Sequence, residues 1–125
     1  MMLKKRTMVY TAMSKYLFYF RESISKFVLE QNYIPLNPFL LFNYFLLDTV
    51  DRDKIRNANN NLVEISDELW VFGKVSGGVL AEIKLAKEFG KTIKYFKIID
   101  SKEIEEISKA EVEFEAGLEI YSGEI

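Results

Sequence analysis

Apolar positions change their period several times along the chain, and each change marks an element. Thr7 to Ala12 is a short β-branched and aromatic run, as a buried strand requires. From Lys15 to Gln31, Leu17, Phe20, Ile24, Phe27 and Val28 recur at helical spacing behind Ser14, a suitable N-cap, which predicts an amphipathic helix. The off-stripe aromatics Tyr16, Phe18 and Tyr19 are expected to fill the core or to be covered by a loop or a second subunit. Two prolines between Asn32 and Pro38 leave room for only a short strand, with a loop after it. Phe39 to Leu47 is apolar on nearly all sides and predicts a short buried or interface helix. Asp51 to Glu64 carries Ile55, Ala58 or Asn59, and Leu62 at helical spacing with acids in its first turn, which predicts a third helix.

The second half repeats the alternation. Leu69 to Phe72 is an uninterrupted apolar run ending at Gly73, the pattern of a central strand in a parallel sheet. Ser76-Gly77-Gly78 then leads into Val79 to Phe89, whose Val79, Ile83, Ala86 and Phe89 share a helical face that Gly90 terminates. Thr92 to Ile99 reads as a strand and Ser101 to Lys109 as a short charged helix. Val112, Phe114, Leu118 and Ile120 alternate with glutamates, which suits an edge strand or a partner-binding arm. Strands alternating with helices predict an α/β fold, an open parallel sheet in a flavodoxin- or Rossmann-like three-layer sandwich. Ligands bind beyond the strand C-termini in such sheets, so the residues Tyr10 to Ser14 and Gly73 to Glu82 are the candidate mouth.

Composition narrows the chemistry. A chain of 125 residues is expected to form a single domain spanning 1–125. Without cysteine or histidine it offers no disulfide, thiol nucleophile, imidazole base or histidine-ligated zinc, so catalysis must rest on carboxylates, tyrosines, lysines or serines. The net charge of −2 supplies no basic field for a nucleic acid polymer. Charge is unevenly spread: residues 1–30 hold six Lys/Arg against two acids, whereas residues 100–125 hold nine acids against two lysines. Pro38 to Leu47 is too short for a membrane span, and the basic start Met1 to Arg6 lacks the apolar run of a signal peptide. A soluble cytoplasmic protein is expected.

Ser76-Gly77-Gly78 before a helix allows backbone amides to approach an anionic oxygen, and equally suits a tight strand-to-helix turn. It is neither a P-loop nor a dinucleotide fingerprint. Glu82 lies near the positive end of that helix, with Gly78, Val79, Leu85 and Ala86 at the positions where a cation would pair with it. Asn57, Asn59, Asn60 and Asn61 crowd a helix that better formers would favour, as a base- or sugar-reading face or as a frayed solvent face would. Trp70 and Phe72 are expected in the core.

The stretch Ser66-Asp67-Glu68-Leu69-Trp70-Val71-Phe72-Gly73, then Ser76-Gly77-Gly78-Val79-Leu80-Ala81-Glu82-Ile83, Ala86 and Gly90-Lys91, resembles the nucleoside 2-deoxyribosyltransferase superfamily, which includes deoxynucleotide N-glycosidases. Val9-Tyr10-Thr11-Ala12 is similar to that family's opening strand. The resemblance implies Glu82 as nucleophile on the sugar anomeric carbon, Tyr10 orienting the carboxylate and sugar, and Ser76 at the position that binds a 5′-oxygen or phosphate. Gly77, Gly78, Ser14 and Asn59 complete the implied substrate-binding set, and neither metal nor cofactor is required. Two departures stand out. Asn59 occupies the place of a family aspartate, for which Asp51 or Asp53 would substitute only in a remodelled loop, and Met13, Ser14 and Lys15 replace the glycines after the opening strand. The expected function is cleavage or transfer at the N-glycosidic bond of a nucleoside or nucleoside 5′-monophosphate. The alternatives are a non-catalytic nucleotide-sensing module and an NAD-hydrolysing enzyme. Surplus aromatics and the resemblance together imply a homodimer or higher homo-oligomer, with the acidic arm around Tyr121 and Ser122 near the partner's pocket.

Overall fold

Two apolar faces on each central strand dictate a sheet covered on both sides. The computed structural model describes residues 3–125, so the first two residues of the basic start lie outside the described residues. The strands are β1 (Met8–Met13), β2 (Ile34–Leu36), β3 (Glu68–Phe72), β4 (Thr92–Asp100) and β5 (Glu103–Ile107). The helices are α1 (Arg21–Glu30), α2 (Pro38–Leu41), α3 (Tyr44–Thr49), α4 (Arg52–Ile65) and α5 (Gly77–Glu88). Strand order is β2-β1-β3-β4-β5, with β5 antiparallel on an otherwise parallel sheet. This is the expected α/β three-layer sandwich, and its order reverses between β1 and β3, where such sheets open a crevice.

The period of two along the strands sorts the core. Val9, Met13, Trp70, Phe72 and Phe96 point to the face covered by Ile24 and Val28 of α1. Tyr10, Ala12, Leu69, Val71 and Tyr95 point to the face covered by Val63 of α4 and Val79, Leu80, Ile83 and Ala86 of α5. Trp70 and Phe72 are therefore core residues, as their sequence context implies. Asp67 fastens the β1–β3 edge, its carboxylate accepting from the Met8 amide at 2.8 Å while its own amide donates to the Met8 carbonyl.

Four segments differ from the sequence expectation. The helix expected over Lys15–Gln31 is divided into a 3₁₀ turn, Lys15–Phe20, and α1. Leu17 there is pressed onto Gly73, whose φ of +74° and missing Cβ permit the approach; a Cβ would stand 2.6 Å from Leu17 Cδ1. Phe39–Leu47 is two short helices, because Phe42 is extended and Asn43 caps a new helix by accepting from the Leu46 amide. Nor is it buried: Tyr44 and Phe45 are 62% and 70% exposed, and Tyr16 and Tyr19 beside them 74% and 90%. Ser101–Lys109 is not a helix. Asp100 turns the chain by accepting from the Lys102 amide, and β5 then adds to β4 with Ile104 on the α1 side and Ile107 on the α5 side; ladder bonds and burial override the helix preference of its glutamates. The closing segment makes a single bridge, Phe114 to Val75, and ends in a 3₁₀ turn, Glu119–Glu124, that buries Ile125. No helix among the described residues is long and apolar enough to cross a membrane.

Candidate active site

Tyr10 is placed by strand alternation on the α5 side of β1, and Glu82 by its position six residues past the N-cap of α5. Ser76 is that N-cap, its hydroxyl accepting from the Val79 amide at 3.2 Å. The two side chains meet: the Tyr10 hydroxyl donates to Glu82 Oε2. Burial pushes the Glu82 carboxyl up from an ordinary 4.5 to about 7, against the opposing pull of the Tyr10 hydrogen bond. Burial, and then the Glu82 charge, raise the Tyr10 phenol well above its usual range, so it remains the donor. Glu82 is thus a carboxylate near half ionisation at neutral pH, held through one oxygen, with no cation paired to it among the described residues.

The pair lines an inner cavity of about 70 Å³, walled by Thr11 and Met13 of β1, by Pro38 and Phe39 of α2, and by Phe42, Leu47, Ile55 and Asn59. That space is too small for a sugar and a base together, and it adjoins an outer groove of about 750 Å³ between α4 and α5. Phe39, Leu47, Ile55, Asn59 and Glu82 line both. Asn59 Oδ1 is buried there with no hydrogen-bond partner among the described residues, an acceptor left for a ligand N–H or O–H.

Of the residues singled out in the sequence, Glu82, Tyr10, Asn59 and Gly78 converge on this site. Gly77 opens α5 beside it with free space where a Cβ would be, while the Ser76 hydroxyl is engaged as the cap. Ser14 is elsewhere. Its hydroxyl donates to Glu115 Oε2 at 2.6 Å, and it lines a different hollow of about 910 Å³ with Gly73, Lys74 and the acids Glu111 and Glu113. Asp51 caps α4 by accepting from the Asp53 amide, and neither acid lines the Glu82 cavity. Met13, Phe39 and Phe42 were hidden in the sequence among generic apolar positions. Met13 is placed by β1, whereas the two phenylalanines follow Asn37, buried before Pro38, whose side chain donates to the Arg21 carbonyl and Ser25 hydroxyl and accepts from the Phe39 amide.

A model of the family described as Domain of unknown function (DUF7768) matches residues 11–96, which include α4, Asn59, β3 and the whole of α5 with Glu82. The chain belongs to the DUF7768 family. No functionally curated protein matches the sequence. Among solved structures, a protein described as 2-desoxiribosyltransferase from Leishmania mexicana is similar in fold, with a TM-score of 0.58 at 15% identity over 94% of this chain and 97% of that one. This DUF7768 chain therefore shares the layered architecture of a deoxyribosyltransferase, and Tyr10 lies one residue before the matched span.

Tyr10→Phe tests the contact directly. Because the hydroxyl pulls the Glu82 carboxyl down, its removal is expected to raise the carboxyl above about 7 without disturbing the fold, as followed by carbon-13 NMR titration of labelled glutamate. An unchanged midpoint would show that the two groups do not interact in solution.

Proposed function

We propose that this protein cleaves or transfers the N-glycosidic bond of a nucleoside or nucleotide, as one catalytic domain of the nucleoside 2-deoxyribosyltransferase type, with Glu82 as nucleophile. The observation that carries the reading is the Tyr10–Glu82 pair, a partly buried carboxylate oriented by a phenol where a small cavity meets a large groove. In the first step a Glu82 oxygen bonds to the anomeric carbon as the C–N bond breaks. The bonding pair leaves with the base, which takes up a proton from solvent in the open groove, and an oxocarbenium-like transition state is stabilised by the adjacent carboxylate. Attack by water or an acceptor base then releases the sugar and regenerates the carboxylate. Tyr10 fixes the attacking carboxylate, and Asn59 Oδ1 accepts from a sugar hydroxyl or base N–H. Neither step needs a metal or cofactor. The similarity in fold to a 2-desoxiribosyltransferase supports the reaction class.

The test is chromatographic detection of free base from a panel of nucleosides, their 5′-phosphates and NAD; no release from any of them would sink the reading. A second reading, a nucleotide-binding module without turnover, is favoured by one observation: Asn59, whose amide is not a titrating acid, stands where the deoxyribosyltransferase family has an aspartate. In that case nucleotides raise the melting temperature of the wild type and of Glu82→Gln alike while base release stays at background.

The active form is proposed to be a homodimer or higher homo-oligomer. Tyr16, Tyr19, Tyr44 and Phe45 are more than half exposed, and Phe18 ties their two segments together through contacts with Phe39 and Tyr44. Light scattering at micromolar concentration is expected to give at least twice the monomer mass, and Phe45→Glu to give a monomer; a monomeric wild type overturns this.

A further inference from the structure

The sequence pointed to the Ser76-Gly77-Gly78 turn as the place for an anion and to Ser14, after β1, as a further substrate contact. The structure separates these. Ser14 already bonds the Glu115 carboxylate, and that hollow sets three acids, Glu111, Glu113 and Glu115, against Lys74 and a Lys97 tied to Glu105, so its charge balance does not favour a phosphate. Ser76 is committed to the Val79 amide.

Positive charge instead collects along the outer groove. Arg52 and Arg56 stand one helical turn apart on α4, on the face that also carries Ile55, Asn59 and Asn60. Like charges at this spacing oppose helix formation, and neither arginine has a carboxylate within ion-pair distance among the described residues. Asp53, the acid closest in sequence to both, is not paired with either. Lys15, from the turn after β1, lines the same groove. Lys84 lines it too but is tied to Glu124 at 3.1 Å, and the remaining acids in the wall are Glu82 and Glu88. This surplus of cations sits in a chain whose net charge is −2, so an anion meets attraction here and repulsion near the acidic C-terminal segment.

We propose that the groove between α4 and α5 is a phosphate-chain subsite in which Arg52, Arg56 and Lys15 hold the diphosphate or longer end of a nucleotide. The inference rests on the glycosidic reading for the orientation of that nucleotide, with its sugar at Glu82. Three unpaired cations match the charge of a diphosphate better than that of a single phosphate. Two guanidinium forks a turn apart suit oxygens spread along a chain, each taking phosphate oxygens in pairs. Size agrees: the inner cavity of about 70 Å³ admits only part of a ligand, whereas about 750 Å³ outside accommodates a nucleotide. A nucleic acid strand is disfavoured because Glu88 and the acidic C-terminal turn bound the basic strip.

Calorimetry at low salt with a nucleoside, its 5′-mono-, di- and triphosphates, and pyrophosphate alone decides the matter. Affinity is expected to rise at least about tenfold from nucleoside to diphosphate and to fall with added salt. Pyrophosphate should compete with the diphosphate. Both gains should vanish in the double variant Arg52→Gln/Arg56→Gln, whose melting temperature stays at or above that of the wild type because a like-charge pair is removed. Equal affinity for nucleoside and diphosphate, a gain that survives the double variant, or stronger competition by a short oligonucleotide than by pyrophosphate would overturn the proposal. If pyrophosphate binds through the arginines while no nucleotide loses its base, the glycosidic reading fails and the subsite stands. If nucleoside diphosphates lose their base with a KM that the double variant leaves unchanged, the subsite fails and the glycosidic reading stands.

Discussion

Glu82→Gln is expected to lower base release by roughly a thousandfold or more, the scale on which removal of a covalent nucleophile acts. Glutamine keeps the size and the acceptor oxygen for Tyr10, so the fold and the groove persist while the anomeric carbon loses its attacking carboxylate. The wild type should show a second signature. Only ionised Glu82 attacks, and its carboxyl is raised to about 7, so kcat/KM should climb tenfold per pH unit below that value and level off above it. Rapid-quench mass spectrometry should detect a sugar ester on the wild type and none on the variant. Retention of more than a tenth of the activity in Glu82→Gln would remove Glu82 from the nucleophile's role, and a rate that falls with pH through 7 would recast it as an acid.

The same residue should leave a mark on stability that needs no substrate. In the unfolded chain the Glu82 carboxyl titrates near 4.5, and in the folded protein at about 7. The folded state therefore holds the proton more tightly, and the stabilisation linked to it is complete below pH 4.5 and lost as pH rises through 7. A shift of this size corresponds to at most about 3 kcal/mol. Glu82→Gln carries no such titration. Its stability relative to the wild type should rise across that window, by up to about 3 kcal/mol between pH 4.5 and pH 8, as measured by urea unfolding of both proteins. A difference that stays constant with pH would mean that the carboxyl is solvated in solution and that the site is more open than described.

How far the sequence foretold the protein depends on how local each cause is. Leu69-Trp70-Val71-Phe72 before Gly73 reads as a central strand, and the apolar stripe from Val79 to Phe89 before Gly90 as a helix; these causes act within a few residues. Glu82 was legible for a related reason, since it lacked any cation at helical spacing and matched a family motif. By contrast, Glu103 to Ile107 reads as a charged helix until β4 offers its edge, because strand pairing is a non-local choice that local propensity does not record. The break at Phe42 was equally hidden, although Asn43 is a legitimate cap signal once a neighbouring boundary is known.

The site divides along the same line. Residue types and short spacings sufficed to exclude imidazole and thiol chemistry, to order the alternating strands and helices, and to single out Glu82 and the asparagine cluster, while the family resemblance nominated Tyr10 and Asn59. They did not show that Tyr10 and Glu82 touch, since the residues are 72 positions apart and meet only because β1 lies beside β3 beneath α5. Nor did they show that Ser14 would be drawn to Glu115, 101 positions away, or that Arg52 and Arg56 would share a groove with Lys15. A carboxylate's ionisation, a serine's partner and the sign of a pocket are set by the groups that packing brings within a few ångströms and by the water it removes. The sequence by itself determined which side chains were available and which elements carried them; the tertiary structure alone decided which of them share a low-dielectric site.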